Sequence, residues 1–349
     1  MRKALGLIGI LLVLGMVTYL WELYDHGTSH FLTPLNLKQQ LVWIGLFGIL
    51  SVGQALVIIS GGIDLSVGSV IALVGISLAM LLDPAVAGLH PALAIFIVLA
   101  LAAIVGLWHG FLIAILRIQP FVATLCGLFA YRGIARVLTG DTSQGFGLAY
   151  PRWRAWGRGS LWDTLSVSPP AESGVSGFYQ GILDSIPAPF VLLLVVALVV
   201  GAYLHFTAPG RHLFALGANE DSARFSGIAT KKMLITAYVL CSVITACGGI
   251  LLAFKVSSLG PTDFGSFYEL YAIAGAVLGG CSLRGGTGNL FAVLIGASLI
   301  VILRNLVTIL GIPSQLEYVV IGGAILLGVC VDEVLMRRKW RGARGAITG

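Results

Sequence analysis

The feature that most constrains this chain is a series of ten apolar runs of roughly membrane-spanning length. A helix that crosses the hydrocarbon core of a bilayer, roughly 30 Å thick, needs about 20 mainly apolar residues. Ten runs meet or approach that length, and they cover residues 4–23, 41–60, 67–82, 92–116, 120–139, 187–206, 233–254, 267–280, 290–310 and 316–336. The sequence therefore predicts an all-α, polytopic membrane protein with about ten transmembrane helices.

The composition supports this prediction, because charged side chains are too scarce to cover a water-soluble surface. Of the 349 residues, 58% are hydrophobic and 10% are charged, whereas soluble proteins contain about 25% charged residues. The net charge of +6 comes from basic residues in short loops and at the chain ends, a pattern typical of membrane topology signals. The lipid bilayer is therefore the expected surrounding, and nucleic acid is not expected as a partner.

Basic residues also predict the orientation, since cytoplasmic loops retain Lys and Arg. With the N-terminus inside and alternate crossings, 13 of the 21 basic residues lie in cytoplasmic segments. They are Arg2, Lys3, Arg117, Arg211, Arg224, Lys231, Lys232, Arg284, Arg337, Arg338, Lys339, Arg341 and Arg344. We therefore expect one transmembrane domain over residues 1–349 with both termini cytoplasmic, and an uncleaved first helix.

Two runs and two hydrophilic stretches interrupt this regular pattern. The runs at 67–82 and 267–280 are short and flanked by glycines, so broken or re-entrant helices are expected there. The stretch 140–186 is predicted to be a periplasmic loop, either an interfacial segment or a docking surface for an external partner. The stretch 207–232 is predicted to be a cytoplasmic loop.

The cytoplasmic loop contains the signals of a short helix that does not enter the membrane. Asn219 is a favourable N-cap, Glu220 and Asp221 complement the positive end of the helix dipole, and Gly227 supplies a C-terminal stop. About two turns of helix are expected, too short and too charged to span. This segment is either a solvated linker or a docking element.

The string GGIDLSVGS at 61–69 predicts a break in a membrane helix. Gly61 and Gly62 free the backbone, and Asp64 or Ser66 can accept the N–H groups exposed at the start of the next helix. Two interpretations of Asp64 fit this pattern. Asp64 either caps a helix at the interface or lines a translocation route.

Three ionisable residues lie near the predicted outer ends of spans. Arg132 and Arg136 are four residues apart on one helical face, either with side chains that extend to the headgroups or at a pore mouth. Glu269 is a candidate partner for one of them.

Five segments together resemble one known family. They are GGIDLSVGS at 61–69, GLWHGFLIAILRIQPFVATL at 106–125, PGR followed by ALGANEDSARFSGI within 209–228, YELYAIAGAVLGGCSLRGGTG at 268–288, and VVIGGAILLGV at 319–329. In these segments the chain resembles the membrane-spanning permease subunits of ribose-type ABC importers, which move ribose, xylose, galactose and related sugars. The resemblance implies a multi-pass permease of the bacterial inner membrane that forms the path for a monosaccharide.

The resemblance also implies partners and functional residues. The expected partners are an ABC ATPase subunit, a periplasmic sugar-binding protein, and a second copy of the chain or a related permease. Residues expected to couple to the ATPase are Gly210, Arg211, Gly217, Asn219, Glu220, Asp221, Ala223, Arg224, Ser226 and Gly227. Residues expected along the translocation path are Gly61, Gly62, Asp64, Ser66, Glu269 and Asn305.

Several positions depart from the family pattern on or near the expected path. His109 stands where Asn is usual, Tyr271 where Asp is usual, Cys281 and Arg284 where small hydroxylated residues are usual, and Arg304 precedes Asn305. These departures bear on which sugar is carried.

The sequence offers no chemistry of its own. It contains no G-x-x-x-x-G-K-[ST] loop and no H-E-x-x-H motif, and its five cysteines occur singly. We therefore expect no enzymatic activity, cofactor or metal, and we expect a partner to supply the energy. The alternatives are a permease for a branched-chain amino acid, a nucleoside or a signalling furanose, and, from another class, an ion-coupled secondary transporter.

Overall fold

The computed structural model describes residues 2–27, 29–147, 149–160, 163–164, 185–256, 258–323 and 326. In this part of the chain the regular structure is helical. The named helices are α1 (Arg2–His26), α2 (Pro34–Ile59), α3 (Val67–Leu82), α4 (Pro91–Ala114), α5 (Pro120–Thr139), α6 (Pro151–Arg158), α7 (Ala188–Phe206), α8 (Ala208–Ala218), α9 (Glu220–Phe225), α10 (Thr230–Lys255), α11 (Tyr268–Leu278) and α12 (Leu290–Ile309), and a 3₁₀ turn covers Ser314–Leu316.

The structure confirms a polytopic, all-helical membrane protein. Seven of the described helices, α1, α2, α4, α5, α7, α10 and α12, are long and apolar enough to cross a membrane. The two runs expected to be irregular form shorter apolar helices, α3 with 16 residues and α11 with 11. Most of the tenth predicted span, 316–336, lies outside the described residues, so the count of ten stays a prediction.

Helix α2 begins seven residues earlier than its apolar run, and its first turns are polar. The Thr33 hydroxyl accepts a hydrogen bond from the Asn36 amide at 3.4 Å, and Pro34 occupies the first helical position. Both features favour a helix start. The helix therefore extends beyond the apolar run predicted from residue 41, because the polar side chains of its first turns lower the hydropathy there while only Gln40 among them is buried.

The bundle is built around α2. In the most apolar stretch of α2, 94% of the residues are buried, against 78% for α10 and 11% for the peripheral α1. Glycines bring neighbouring helices close, as they do in many membrane proteins. A methyl group on Gly45 would lie 2.5 Å from the Pro189 carbonyl carbon of α7, and one on Gly106 of α4 would lie 2.5 Å from Val239 Cα of α10.

The loops that connect the helices gather at two opposite ends. At one end, Arg117 between α4 and α5 forms an ion pair with Glu220 at 3.1 Å. At the other end, Gln144 and Leu259 exchange two backbone hydrogen bonds of 3.0 and 2.8 Å. This grouping agrees with alternate crossings, and the assignment of the first end to the cytoplasm stays a prediction.

We expect Gly106→Ala to lower the stability of the protein by about 1–3 kcal/mol, because overpacking forces apart two backbones already in contact. The matched control is Gly133→Ala in α5, where no atom lies within 4 Å of the new methyl group. Thermal unfolding in detergent measures both variants. Equal melting temperatures for the two would contradict the close approach of α4 and α10.

Candidate functional site: the coupling loop, the helix break and the opposite cavity

The loop at 207–229 folds as two successive short helices, α8 and α9. The Thr207 hydroxyl caps α8 by accepting a hydrogen bond from the Gly210 amide at 3.2 Å. The sequence predicted α9 but not α8. Thr207 followed two residues later by Pro209 is nevertheless a typical helix start signal. The loop is therefore a folded element, not an extended linker.

Helix α9 has the caps that its sequence predicts. The Asn219 side-chain oxygen accepts a hydrogen bond from the Ser222 amide at 2.8 Å. Gly227 adopts φ +82°, and the amides of Gly227 and Ile228 bond the carbonyls of Arg224 and Ala223. Because a left-handed residue that closes a helix is most easily glycine, the prediction of a stop at Gly227 is confirmed.

The predicted coupling residues divide into an inward and an outward set. Gly210 and Ala223 are buried, and Gly217 is partly buried against the helix bundle. The outward set consists of Arg211, Asn219, Asp221, Arg224, Ser226 and Gly227, which are exposed, and Glu220, which is half-exposed. The loop thus presents a mixed-charge surface on a fixed base.

One outward residue was not singled out in the sequence. Phe225, the last residue of α9, is 86% exposed. The ion pair of Arg224 with Asp221, at 2.9 Å, lies next to it, and the Arg224 guanidinium lies 5.8 Å from the centre of the ring. An exposed aromatic ring beside charged side chains is typical of a protein-binding anchor.

Glycines join the coupling loop to the helix break. A methyl group on Gly217 would overlap the carbonyl oxygen of Ile59, the last residue of α2. A methyl group on Gly285 would lie 2.5 Å from the Gly217 carbonyl oxygen and 2.8 Å from Gly61 Cα. The Gly286 amide donates to the same Ile59 carbonyl at 2.9 Å. Three chain segments therefore touch through their backbones at this point, which we call the glycine contact.

The break between α2 and α3 occurs where the sequence predicts it. Gly61 adopts φ +89°, and the Asp64 side-chain oxygen accepts hydrogen bonds from the Ser66 amide at 2.8 Å and the Ser66 hydroxyl at 2.6 Å. Asp64 therefore bonds the amide and the hydroxyl of Ser66, the residue just before α3, and the Ser66 side chain makes no capping bond. Asp64 is 1% exposed, and its role along the path stays a prediction.

Asp64 lies within a buried polar cluster drawn from three other helices. The rings of Tyr131 in α5 and Tyr238 in α10 lie 5.4 and 6.3 Å from the ring of His109 in α4, and the Tyr238 hydroxyl lies against Gly62, two residues before Asp64. A hydrogen bond of 3.1 Å joins the Tyr131 hydroxyl to His109 Nε2. The sequence showed His109 as an unusual residue but not this assembly, because the members come from distant parts of the chain.

Glu269 and Arg132 lie near each other without forming an ion pair. Glu269 is buried, with its carboxylate against Gly68 at the start of α3. Arg132 donates to the carbonyl oxygens of Phe264 at 2.6 Å and Pro261 at 3.2 Å. Arg132 therefore ties the loop before α11 to α5, and its place at the headgroups or at a pore mouth stays a prediction.

The structure also shows the partner of Arg136, the second arginine near the outer ends of the spans. Arg136 pairs with Asp141, not with Glu269, through hydrogen bonds of 2.6 and 2.8 Å. The predicted pairing of Glu269 with an arginine is therefore absent from the described residues.

Asn305 lies beside a cavity at the end of the bundle opposite the coupling loop. Its side chain exchanges two hydrogen bonds with Asn36, of 2.8 and 3.1 Å. The cavity measures about 290 Å³ and lies between the first turns of α2, the last turns of α12 and Glu317. Of the predicted path residues, Asn305 alone lines it, while Gly62, Asp64, Ser66 and Glu269 are buried elsewhere and Gly61 is exposed at the glycine contact.

The described residues contain no group of three or more His, Cys, Asp or Glu side chains placed to hold a metal ion.

Comparison with known proteins assigns the chain to a family. The family model described as the permease component of the branched-chain amino acid transport system matches residues 36–329. No solved structure matches.

Among curated proteins, the ribose import permease protein of Escherichia coli strain K12 is 34% identical over 328 residues, covering 94% of this chain and 92% of that protein. The ribose import permease protein of Bacillus subtilis strain 168 is 34% identical, covering 87% and 86%. The xylose transport system permease protein of Haemophilus influenzae is 33% identical, covering 86% and 90%. The chain therefore belongs to this family of transport permeases, and its resemblance to the permease subunits of ribose-type importers is confirmed.

Proposed function

We propose that this protein is the permease subunit of an ABC importer that carries a monosaccharide, most directly a pentose, across the bacterial inner membrane. The observation that carries the proposal is the two-helix loop α8–α9, which presents Phe225 outward and rests on the glycine contact beneath it. The names of the ribose and xylose relatives support the choice of solute.

The loop has the form needed to receive force from a partner. Asn219 and Gly227 fix both ends of α9, and buried Ala223 holds it against the bundle. Because the base of the loop meets Ile59 and Gly61 backbone to backbone, a displacement of α9 acts on the break between α2 and α3 with no flexible side chain between them. We propose an ATPase subunit as the partner at this surface.

Two further partners belong to the proposal. A periplasmic sugar-binding protein delivers the solute at the opposite end, and a second copy of the chain or a related permease completes the path. The loop at 140–186 belongs to the side that receives the binding protein, and its residues 165–184 lie outside the described part of the chain. We also propose that both termini lie in the cytoplasm.

A second candidate solute is a branched-chain amino acid, which the description of the matching family favours. The curated relatives favour a sugar. A direct uptake assay separates the two.

We expect vesicles that contain the permease, its ATPase and its binding protein to take up ribose or xylose only when ATP is supplied. Radiolabelled uptake, with leucine as a competitor and the permease alone as a control, measures this. Uptake by the permease alone in a proton or sodium gradient would show an ion-coupled transporter instead. Inhibition by leucine and not by sugars would favour the second candidate.

We expect the double variant Glu220→Lys, Asp221→Lys to insert normally and to lose both ATPase co-purification and uptake. Each reversal removes about 0.3–1 kcal/mol of favourable interaction with the helix dipole. Each also places a lysine beside Arg117 or Arg224, the present ion-pair partners. The control reverses Asp141 and Asp263 at the opposite end and should keep the ATPase. Wild-type uptake by the Glu220→Lys, Asp221→Lys variant would show that α9 is only a solvated linker without a coupling role.

We expect Phe225→Ala to weaken ATPase binding by at least about tenfold, since anchor aromatics contribute about 2 kcal/mol or more at interfaces. The matched control is Phe129→Ala in α5, where the ring is 68% exposed on an apolar face. Titration of the ATPase onto the permease in nanodiscs measures both variants. Unchanged affinity for Phe225→Ala alongside normal folding would place the contact elsewhere on the loop.

A further inference from the structure

Thr124, near the start of α5, holds the break between α2 and α3 from a distant part of the chain. Its side chain is fully buried, at 0% exposure. The Thr124 hydroxyl accepts a hydrogen bond from the Leu65 amide at 3.1 Å and lies 3.2 Å from the Ile63 carbonyl oxygen, within donating distance. One side chain of α5 therefore binds the unwound backbone on both sides of Asp64.

The Thr124 hydroxyl has more acceptors within reach than it can serve. Besides that of Ile63, the carbonyl oxygens of Pro120 and Phe121 lie 3.0 and 3.4 Å away. A hydroxyl carries a single hydrogen, and bonding of a threonine hydroxyl to a carbonyl one turn earlier is common in helices. The hydroxyl can therefore release the Ile63 carbonyl and still keep a partner in its own helix, so this contact can open and close.

A strained turn leads into this part of α5. Arg117 adopts φ +59°, and the amides on either side of it, those of Leu116 and Ile118, bond the carbonyls of Phe111 and Leu112. A left-handed residue that follows a helix is usually glycine. A larger residue in that conformation is strained, and such strain is concentrated at functional positions. The turn therefore directs attention to what the Arg117 side chain does.

The Arg117 side chain connects this turn to the coupling loop. Its Nη1 donates to a Glu220 carboxylate oxygen at 3.1 Å, between residues 103 positions apart. The two side chains are 51% and 37% exposed, and an ion pair in water contributes little by itself. A partner that covers α9 would exclude this water and strengthen the pair. The connection between α9 and α5 therefore tightens when the proposed ATPase is bound.

We propose that Thr124 is a positioning residue for transport, and that a movement of α9 reaches it through Arg117 and the first turn of α5. The inference rests on the proposed import driven by an ATPase and adds a second connection to the break. The glycine contact acts at Ile59 and Gly61, whereas Thr124 acts at residues 63–65. The coupling loop therefore engages the break at both of its ends.

The ratio of ATP hydrolysed to sugar imported separates positioning from a merely structural role. Loss of folded protein lowers both rates by the same factor and leaves the ratio unchanged. Loss of a residue that links α9 to the break lets hydrolysis proceed without the matching movement, so the ratio rises. The kcat of uptake should fall while the KM for sugar stays the same, because the contact acts on the movement and not on solute binding.

Three variants isolate the hydroxyl group. Thr124→Val removes it at nearly constant volume, and Thr124→Ser retains it. The matched control is Thr139→Val in the same helix, because Thr139 is also buried and its hydroxyl bonds the carbonyls of Ala135 and Arg136, both at 3.2 Å. Uptake of radiolabelled ribose or xylose and release of phosphate are measured in vesicles that contain the permease, its ATPase and its binding protein.

We expect Thr124→Val to hydrolyse at least about fivefold more ATP per sugar imported, the factor that corresponds to one ordinary hydrogen bond. Thr124→Ser and Thr139→Val should keep the wild-type ratio. In the permease alone in nanodiscs, Thr124→Val should also speed hydrogen exchange in a peptide covering residues 61–66, since the Leu65 amide loses its acceptor.

A second pair of variants tests the path through the turn. Arg117→Gly removes the ion pair and introduces the residue that the left-handed conformation favours, so the turn should keep its shape. It should raise the ratio of ATP to sugar, and combining it with Thr124→Val should raise the ratio no further than Thr124→Val alone. Independent effects that multiply would show that Arg117 does not act through Thr124.

The outcomes for Thr124 and for sugar import are separable. A wild-type ratio in Thr124→Val, or unchanged exchange at residues 61–66, would overturn the role of Thr124 and leave the proposed function standing. An equal rise of the ratio in Thr139→Val would also overturn it, since the effect would then not depend on the break. Absence of ATP-driven sugar uptake by the wild-type complex would overturn the proposed function, and with it a transport role for Thr124.

Discussion

The arrangement of this protein depends on how the unwound backbone between α2 and α3 is satisfied. Within a bilayer an unpaired backbone N–H or C=O group costs several kcal/mol, so irregular chain is tolerated only where protein supplies partners. Here the partners come from α5 and from α2 itself. The Leu65 amide donates to the Thr124 hydroxyl at 3.1 Å, and in its satisfied orientation the Gln54 side chain pairs with both backbone groups of Asp64. The break therefore depends on side chains of α5 and α2 that pack around it.

The same constraint accounts for the glycine contact. The Ile59 carbonyl at the end of α2 lacks a partner within its own helix and accepts from the Gly286 amide. That bond requires backbone-to-backbone approach, which Gly217 and Gly285 permit because they have no Cβ. A contact that first serves to satisfy a helix end thus also connects the coupling loop with the break. The atoms that satisfy the end of α2 are therefore the same atoms that would transmit a movement of the coupling loop to the break.

Local features of this fold were predictable from sequence, and long-range ones were not. The caps of α9, the break at Gly61 and the short third and eighth apolar helices each depend on neighbouring residues, and the sequence predicted them. The amide pair of Asn36 and Asn305 joins positions 269 residues apart. No local pattern encodes such a pairing. The apolar run that predicted α2 begins at residue 41 and therefore does not include Asn36. The predicted partner of Glu269 failed for a related reason, since the nearby backbone carbonyls that bind Arg132 cannot be read from side-chain types.

Several of the positions that depart from the pattern of the resembled family contact one another or shared partners in the structure. Tyr271 and Arg304 touch each other, with the guanidinium 5.2 Å from the ring centre, and both bond Glu317. A cation inside the bundle is costly unless an anion and polarisable surfaces compensate it, so Arg304 is stabilised by the carboxylate and the aromatic rings together. His109 is similarly tied to Tyr131 beside Asp64. Three of the five departures, Tyr271, Arg304 and His109, therefore lie beside the cavity or beside the helix break, the two places where a solute and a conformational change would each have to be accommodated. A change of solute within this family would accordingly require coordinated substitutions at contacting residues, because replacing Arg304 alone would leave Glu317 as an unpaired, largely buried charge.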